Sequence, residues 1–187
     1  PLDRNANMTV DSQPILTTRF PLSRGGNWLV AGGGRGITAM SSMALAERYG
    51  LKLHLLGMAA APELDEETRA FARRDRMGLR RDTMRKVQQS GENPVKHWRQ
   101  FEKAIEIDAT LQECKRRHIT AEYHSVDISD SDAVEQLVSR IRDQDGPIRG
   151  VIQGAGSGQD ARFDRKRAEK VQQCLSAKID GTIALAH

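Results

Sequence analysis

The chain has 187 residues, enough for one domain with a substantial core or for one domain with an extension. A hydrophobic share of 38% beside 29% charged residues describes a soluble globular protein, and no apolar run approaches the ~20 residues that crossing a bilayer takes. The net charge of +4 is spread through interleaved acids and bases without a recognisable nucleic-acid reader motif, so neither membrane nor nucleic acid is an expected partner.

Residues 1–26 carry three prolines and the Gly25-Gly26 pair with little periodicity, and they read as a lead-in or linker with one short strand near 15–20. Nothing there has the basic-then-apolar pattern of a secretory signal, so a cytoplasmic setting is the default expectation. Cys114 and Cys174 lie far apart with no CxxC pattern. They suggest buried small residues, not a disulfide or a metal site.

An apolar strand over 27–31 runs into the cluster Gly32-Gly33-Gly34-Arg35-Gly36, and a helix-forming segment follows to about Tyr49. That order is strand, tight turn, helix. Glycines let a backbone approach a ligand closely, and the helix start offers free N–H groups and a positive dipole end to a phosphate. A dinucleotide site is the hypothesis this stretch raises, against the plainer reading of a surface turn.

Gly50 ends the helix, and 51–56 supply a second strand. The end of such a strand faces an adenosine ribose, where an acid selects NAD and a base selects NADP. Met58 does neither, and the positive charge in reach is Arg35, whose alternative reading is a solvated loop arginine. Residues 59–118 then interrupt the strand–helix alternation. One helical segment is expected from the acidic start at Pro62-Glu-Leu-Asp-Glu-Glu67 through Val87, and a second from Asn93-Pro94 to about Arg117. This is an inserted, peripheral helical hairpin. Trp98, Phe101 and Ile105 share one face of the second helix and read as core packing, with contact to a neighbouring domain as the alternative.

Alternation resumes with a third strand over 120–126, followed by Asp127-Ile128 at its carboxyl end and by a helix striped with Val134, Leu137, Val138 and Ile141. A fourth strand over 148–153 enters the turn Gly154-Ala155-Gly156. From about residue 164 the chain reads as one helix to the end, with Val171, Cys174, Leu175 and Ile179 on one side and Lys178 one step off that stripe. The pattern predicts an α/β fold: a Rossmann-like, doubly wound, mostly parallel sheet with an inserted helical hairpin.

Ala31-Gly32-x-x-x-Gly36-Ile37-Thr38 resembles the glycine motif of the short-chain dehydrogenase/reductases, with Thr38 where the last glycine usually stands. Joined to Val126-Asp127-Ile128, to Gly150-Val-Ile-Gln-Gly-Ala-Gly156 and to Ala177-Lys178-Ile-Asp-Gly181, it resembles the ketoreductase domains of modular fatty-acid and polyketide synthases, including the polyunsaturated fatty acid type. The resemblance covers about 28–187 and implies a partial, C-terminally incomplete ketoreductase domain over 27–187. It implies that Gly32, Gly33, Gly34, Arg35, Gly36 and Ile37 wrap the pyrophosphate of NADPH, with Arg35 favouring the 2′-phosphate. Asp127 and Ile128 would lie at the adenine, and Gly154, Ala155 and Gly156 beside the nicotinamide ribose. Lys178 would be the catalytic lysine, and Gln153 stands where a histidine or asparagine is more usual.

The implied substrate is a β-keto thioester carried on an acyl carrier, and the implied partners are other synthase domains, with a homo-oligomer compatible. The tyrosine and serine that such a reductase needs have no counterpart, because Tyr49 and Tyr123 sit in a helix end and a strand. These residues alone are therefore expected to be inactive. A reading from another class also stands: a structural Rossmann-like domain that reduces nothing.

Overall fold

A computed structural model describes residues 22–156, 162 and 165–186. Four strands, β1 (Asn27–Ala31), β2 (Lys52–Gly57), β3 (Ala121–Ser125) and β4 (Ile148–Gln153), form one sheet in the order β3-β2-β1-β4, and every pairing is parallel. The predicted strand over 15–20 and most of the lead-in lie outside the described residues.

Burial follows the two-residue period of the strands. Leu29, Ala31 and Leu56 face α5 (Ser131–Asp145) and α7 (Asp180–Ala186), joining Val134, Leu137, Ile141 and Leu185 in one core. Val30, Leu53 and Leu55 face the other way, against Met43 and Ala46 of α1 (Gly36–Tyr49) and Cys114 of α4 (Pro94–Arg116). Both faces are covered, which is what a parallel sheet with nearly continuous apolar strands requires. Trp28 lies flat over Gly150 on the neighbouring strand: a Cβ there would sit 2.6 Å from the indole.

Between β2 and β3 the structure departs from the expected hairpin. The first segment is broken into α2 (Glu66–Arg74) and α3 (Arg76–Gln89) at Asp75, whose carboxylate accepts from the Gly78 N–H at 2.8 Å and caps the second helix. Nor is the whole insert peripheral. Helix α4 has 23 residues, ~35 Å at 1.5 Å per residue, and its two halves do different work. The first half packs Trp98 and Ile105 against Leu79, Phe71 and Met84 in a small separate core, as the aromatic stripe implied. The second half lays Ile107, Leu111 and Cys114 near the sheet. A parallel β2–β3 connection needs a crossover helix. Here the end of the insert is that helix.

The C-terminal segment is also not one helix. It divides into α6 (Ala168–Lys178) and α7 at Ile179. No residue of α6 is buried, and Val171, Leu175 and Ile179 are exposed, so the apolar stripe does not face the core described here. Cys174 is correspondingly half-buried, unlike Cys114.

Candidate functional site at the carboxyl ends of the strands

The strand order reverses between β1 and β4, and the turns that follow these two strands meet. Gly32, with φ of 72°, opens the first turn, and Gly36, with φ of 66°, closes it at the start of α1. Both occupy the left-handed region that glycine enters without a steric penalty. A Cβ on Gly32 would lie 2.9 Å from the Ala155 backbone, so the turns pack main chain to main chain. Gly154 in turn covers Thr38, and a Cβ added to Gly154 would collide with the Thr38 hydroxyl and methyl. The threonine that stands in the place of a glycine is thus accommodated by a glycine on the facing turn.

The amino end of α1 lacks a side-chain cap at Arg35. Helices α2, α3, α4 and α5 are instead capped by Asp65, Asp75, Asn93 and Asp130. The first N–H groups of α1 therefore open onto the glycine turn as donors for an anion. Ile37 beside them is 84% exposed. Gly33 and Gly34 are buried at the base of the turn: Gly34 abuts the ring of Tyr123 and Ile107 of α4, where a Cβ would approach within 2.8 and 3.2 Å.

Arg35 projects from the turn with half its side chain exposed, and its Nη1 donates to Glu106 Oε2 at 3.1 Å. Tyr123 marks the direction of this side. Its hydroxyl donates to Ala59 O at 2.9 Å and lies 2.8 Å from where a Cβ on Gly57 would stand, at the end of β2. Burial raises the Tyr123 pKa, with Arg35 acting in the opposite direction.

After β3, Asp127 is exposed, and its Oδ1 accepts from the Ser129 N–H and hydroxyl at 3.0 and 2.7 Å. Ile128 is buried in the core, its side chain pressed beneath Gly181 of α7. That side chain thus packs inward, away from the surface on which Asp127 is exposed. On the β4 side, the Lys178 side chain reaches the second turn: its Nζ and Cε lie 3.3 Å from where a Gly156 Cβ would stand.

Gln153 is the residue whose part sequence reading did not identify. Its Oε1 accepts from the Ala155 N–H at 2.8 Å, while its Nε2 donates to Ala177 O at 3.0 Å and approaches Thr182 Oγ1 at 3.4 Å. One amide side chain thereby fixes the second turn to the helix end that carries Lys178. Its place at the end of β4 was the available signal, and its partners are set only by the tertiary fold.

A second polar group lies away from these turns, on the α5 face. His54 Nδ1 and His124 Nε2 are 3.1 Å apart with the rings stacked, and Asp145 stands 3.5 Å from His54 Nε2. Together with Glu122 the two histidines offer three ligand atoms within 4.8 Å. Lys52 and Arg140 place positive charge against the pair, which opposes a cation there.

A doubly wound parallel sheet with glycine turns at its point of reversal defines a Rossmann-like α/β fold. The family model for the KR domain matches residues 26–187, and the chain belongs to that family. It is 28% identical over 176 residues to polyketide synthase PksM of Bacillus subtilis (strain 168), covering 94% of this chain and 3% of that protein. The N-terminal ketoreductase from a macrolactin assembly line superposes with a TM-score of 0.59 at 21% identity, over 87% of this chain and 25% of that one. An alcohol dehydrogenase from Thermococcus sibiricus, complexed with 5-hydroxy-NADP, superposes at 0.53 with 16% identity, over 86% of this chain and 50% of that one. The chain thus spans a small part of its synthase relative and a quarter to a half of these solved chains. No helix among the described residues is long and apolar enough to cross a membrane.

Proposed function

We propose that these residues form the cofactor-binding part of an NADPH-dependent ketoreductase domain in a multidomain polyketide or fatty-acid synthase, which reduces a carrier-bound β-keto thioester to the β-hydroxy product. The observation that carries this reading is the meeting of the two glycine turns at the strands' carboxyl ends, with Arg35 on one side and Lys178 on the other. The uncapped α1 terminus and the glycine surface fit a pyrophosphate, and the alcohol dehydrogenase neighbour is a complex with an NADP derivative.

When bound, NADPH supplies the hydride. Arg35 contributes the charge that favours its 2′-phosphate. Asp127 and the backbone at Ile128 border the adenine, while Gly154, Ala155 and Gly156 leave room for the nicotinamide ribose. Lys178 acts electrostatically: an ammonium beside a phenol lowers that phenol's pKa and eases proton transfer to the developing alkoxide. The phenol itself belongs to no tyrosine of this chain, so residues 1–187 alone are expected to reduce no ketone.

A fluorescence titration of the full-length protein with NADPH and NADH, followed by turnover of a small cyclic ketone, tests the reading. NADPH is expected to bind more tightly, and Lys178→Ala to lower turnover by about two powers of ten or more while leaving NADPH affinity unchanged. Binding without turnover would favour a structural domain. Absence of binding to either nucleotide would overturn the assignment.

A further inference from the structure

The insert is not a bystander to the glycine turn. We infer that Glu106 of α4 is a positioning residue for Arg35, so that the helical insert sets the preference for a 2′-phosphorylated nucleotide. This rests on the reading that NADPH occupies the glycine turn.

Glu106 stands on a helix that is tied to the rest of the insert. Arg69 of α2 donates through Nε to both carboxylate oxygens of the buried Asp108, at 3.1 and 3.0 Å, and so ties α2 to α4. Arg76 of α3 donates to Glu106 Oε1 at 3.2 Å and pairs with Glu102 Oε1 at 3.3 Å. Ile107, the next residue along α4, is buried against the glycine turn at Gly34. The carboxylate is thus held by Arg76 of α3 through one oxygen, with its second oxygen facing Arg35.

The arginine gains order from this contact. Arg35 leaves a turn of glycines on a long, half-exposed side chain, and such a chain loses its rotamer freedom when it engages a phosphate. Glu106 holds it by Nη1. A guanidinium has five N–H donors in a rigid planar fork, so one contact restricts where the side chain lies and leaves further donors for a second anion. The usual objection to a carboxylate beside a phosphate site is repulsion. Here Arg76 shares the Glu106 charge, and Arg35 is not the only cation that balances it. The direction is also suitable, since Tyr123 joins the Arg35 side of the turn to the end of β2, where a ribose is presented. Met58, at that strand end, offers no charge of its own.

The test compares nucleotide affinities of the full-length protein and its Glu106→Ala, Glu106→Gln, Arg35→Ala and double Arg35→Ala/Glu106→Ala variants. Glu106→Ala is expected to weaken NADPH on the order of tenfold, the weight of ordering an arginine no longer held, and to leave NADH unchanged. Glu106→Gln, which keeps an acceptor of the same size, should recover most of that loss. In the Arg35→Ala background, removal of Glu106 should have no further effect. Unchanged or tighter NADPH binding in Glu106→Ala, with Arg35→Ala still weakened, overturns the inference alone. Equal weakening of NADPH and NADH also overturns it, because a structural fault in the turn would act on both. An Arg35→Ala variant with wild-type NADPH affinity overturns both the inference and the reading beneath it.

Discussion

At the scale of single residues, the site turns on pairs in which one partner has given up its side chain for the other. Thr38 and Gly154 are the plainest case. Gly154→Ala should destabilise the protein by about 1–3 kcal/mol, because a methyl group would be forced into the Thr38 side chain at a backbone-to-helix contact. Urea unfolding of the variant and of Gly154→Ala/Thr38→Gly measures this. Recovery in the double variant is expected, and equal losses in both would discard the pairing. The glycine turn and Arg35 were legible in the sequence because each is a local pattern: a run of small residues between a strand and a helix. The Gln153 contacts were not. A glutamine at a strand end carries no mark of the carbonyl 24 residues onward that it will reach.

Among elements, α4 shows where local reading stops. Its start was legible from Asn93-Pro94, and Asn93 Oδ1 does accept from the Lys96 N–H at 3.0 Å. That its two halves serve separate cores was not legible, since an apolar face looks the same whichever neighbour it meets. The break at Asp75 was equally hidden, because the composition on both sides is helical and only the capping bond reveals a new start. The division predicts separable stability. Trp98→Ala removes the largest side chain of the small core and should weaken that core by about 3–5 kcal/mol. Hydrogen exchange should then quicken in α2, α3 and the first half of α4 while β1 and β2 keep their protection. Uniform acceleration across the sheet would show one cooperative unit instead.

The histidine pair joins β2 to β3 and carries a prediction of its own. Burial, first of all, lowers the pKa of both His54 and His124; Lys52 and Arg140 add to it, while Asp145 and Glu122 act against it. Because the folded values lie below the ordinary value of about 6.5, the unfolded chain takes up protons that the folded chain does not as the pH drops past it. The stability from this pair is therefore complete above pH ~6.5 and declines with falling pH. Thermal melts at pH 7.5 and 5.5 should show a smaller loss in His124→Gln than in the wild type. Identical losses would remove the pair from the account.

For the whole molecule, alternation of strands and helices was enough to foresee the parallel, doubly wound sheet, because each βαβ unit admits few arrangements. It could not foretell that the stripe of Val171, Leu175 and Ile179 would stand exposed, since periodicity shows which residues share a face and not what covers it. The central place of β1 has a further consequence, for the order in which the protein is made. β1 and its glycine turn leave the ribosome before β4, so one side of β1 waits for β4, and Gly32 waits for Ala155, across the entire insert and two crossover helices. While the nascent chain grows, β1 can pair with β2 alone. The two turns therefore meet only once β4 has emerged, and until then an apolar strand edge stands open for other partners to claim.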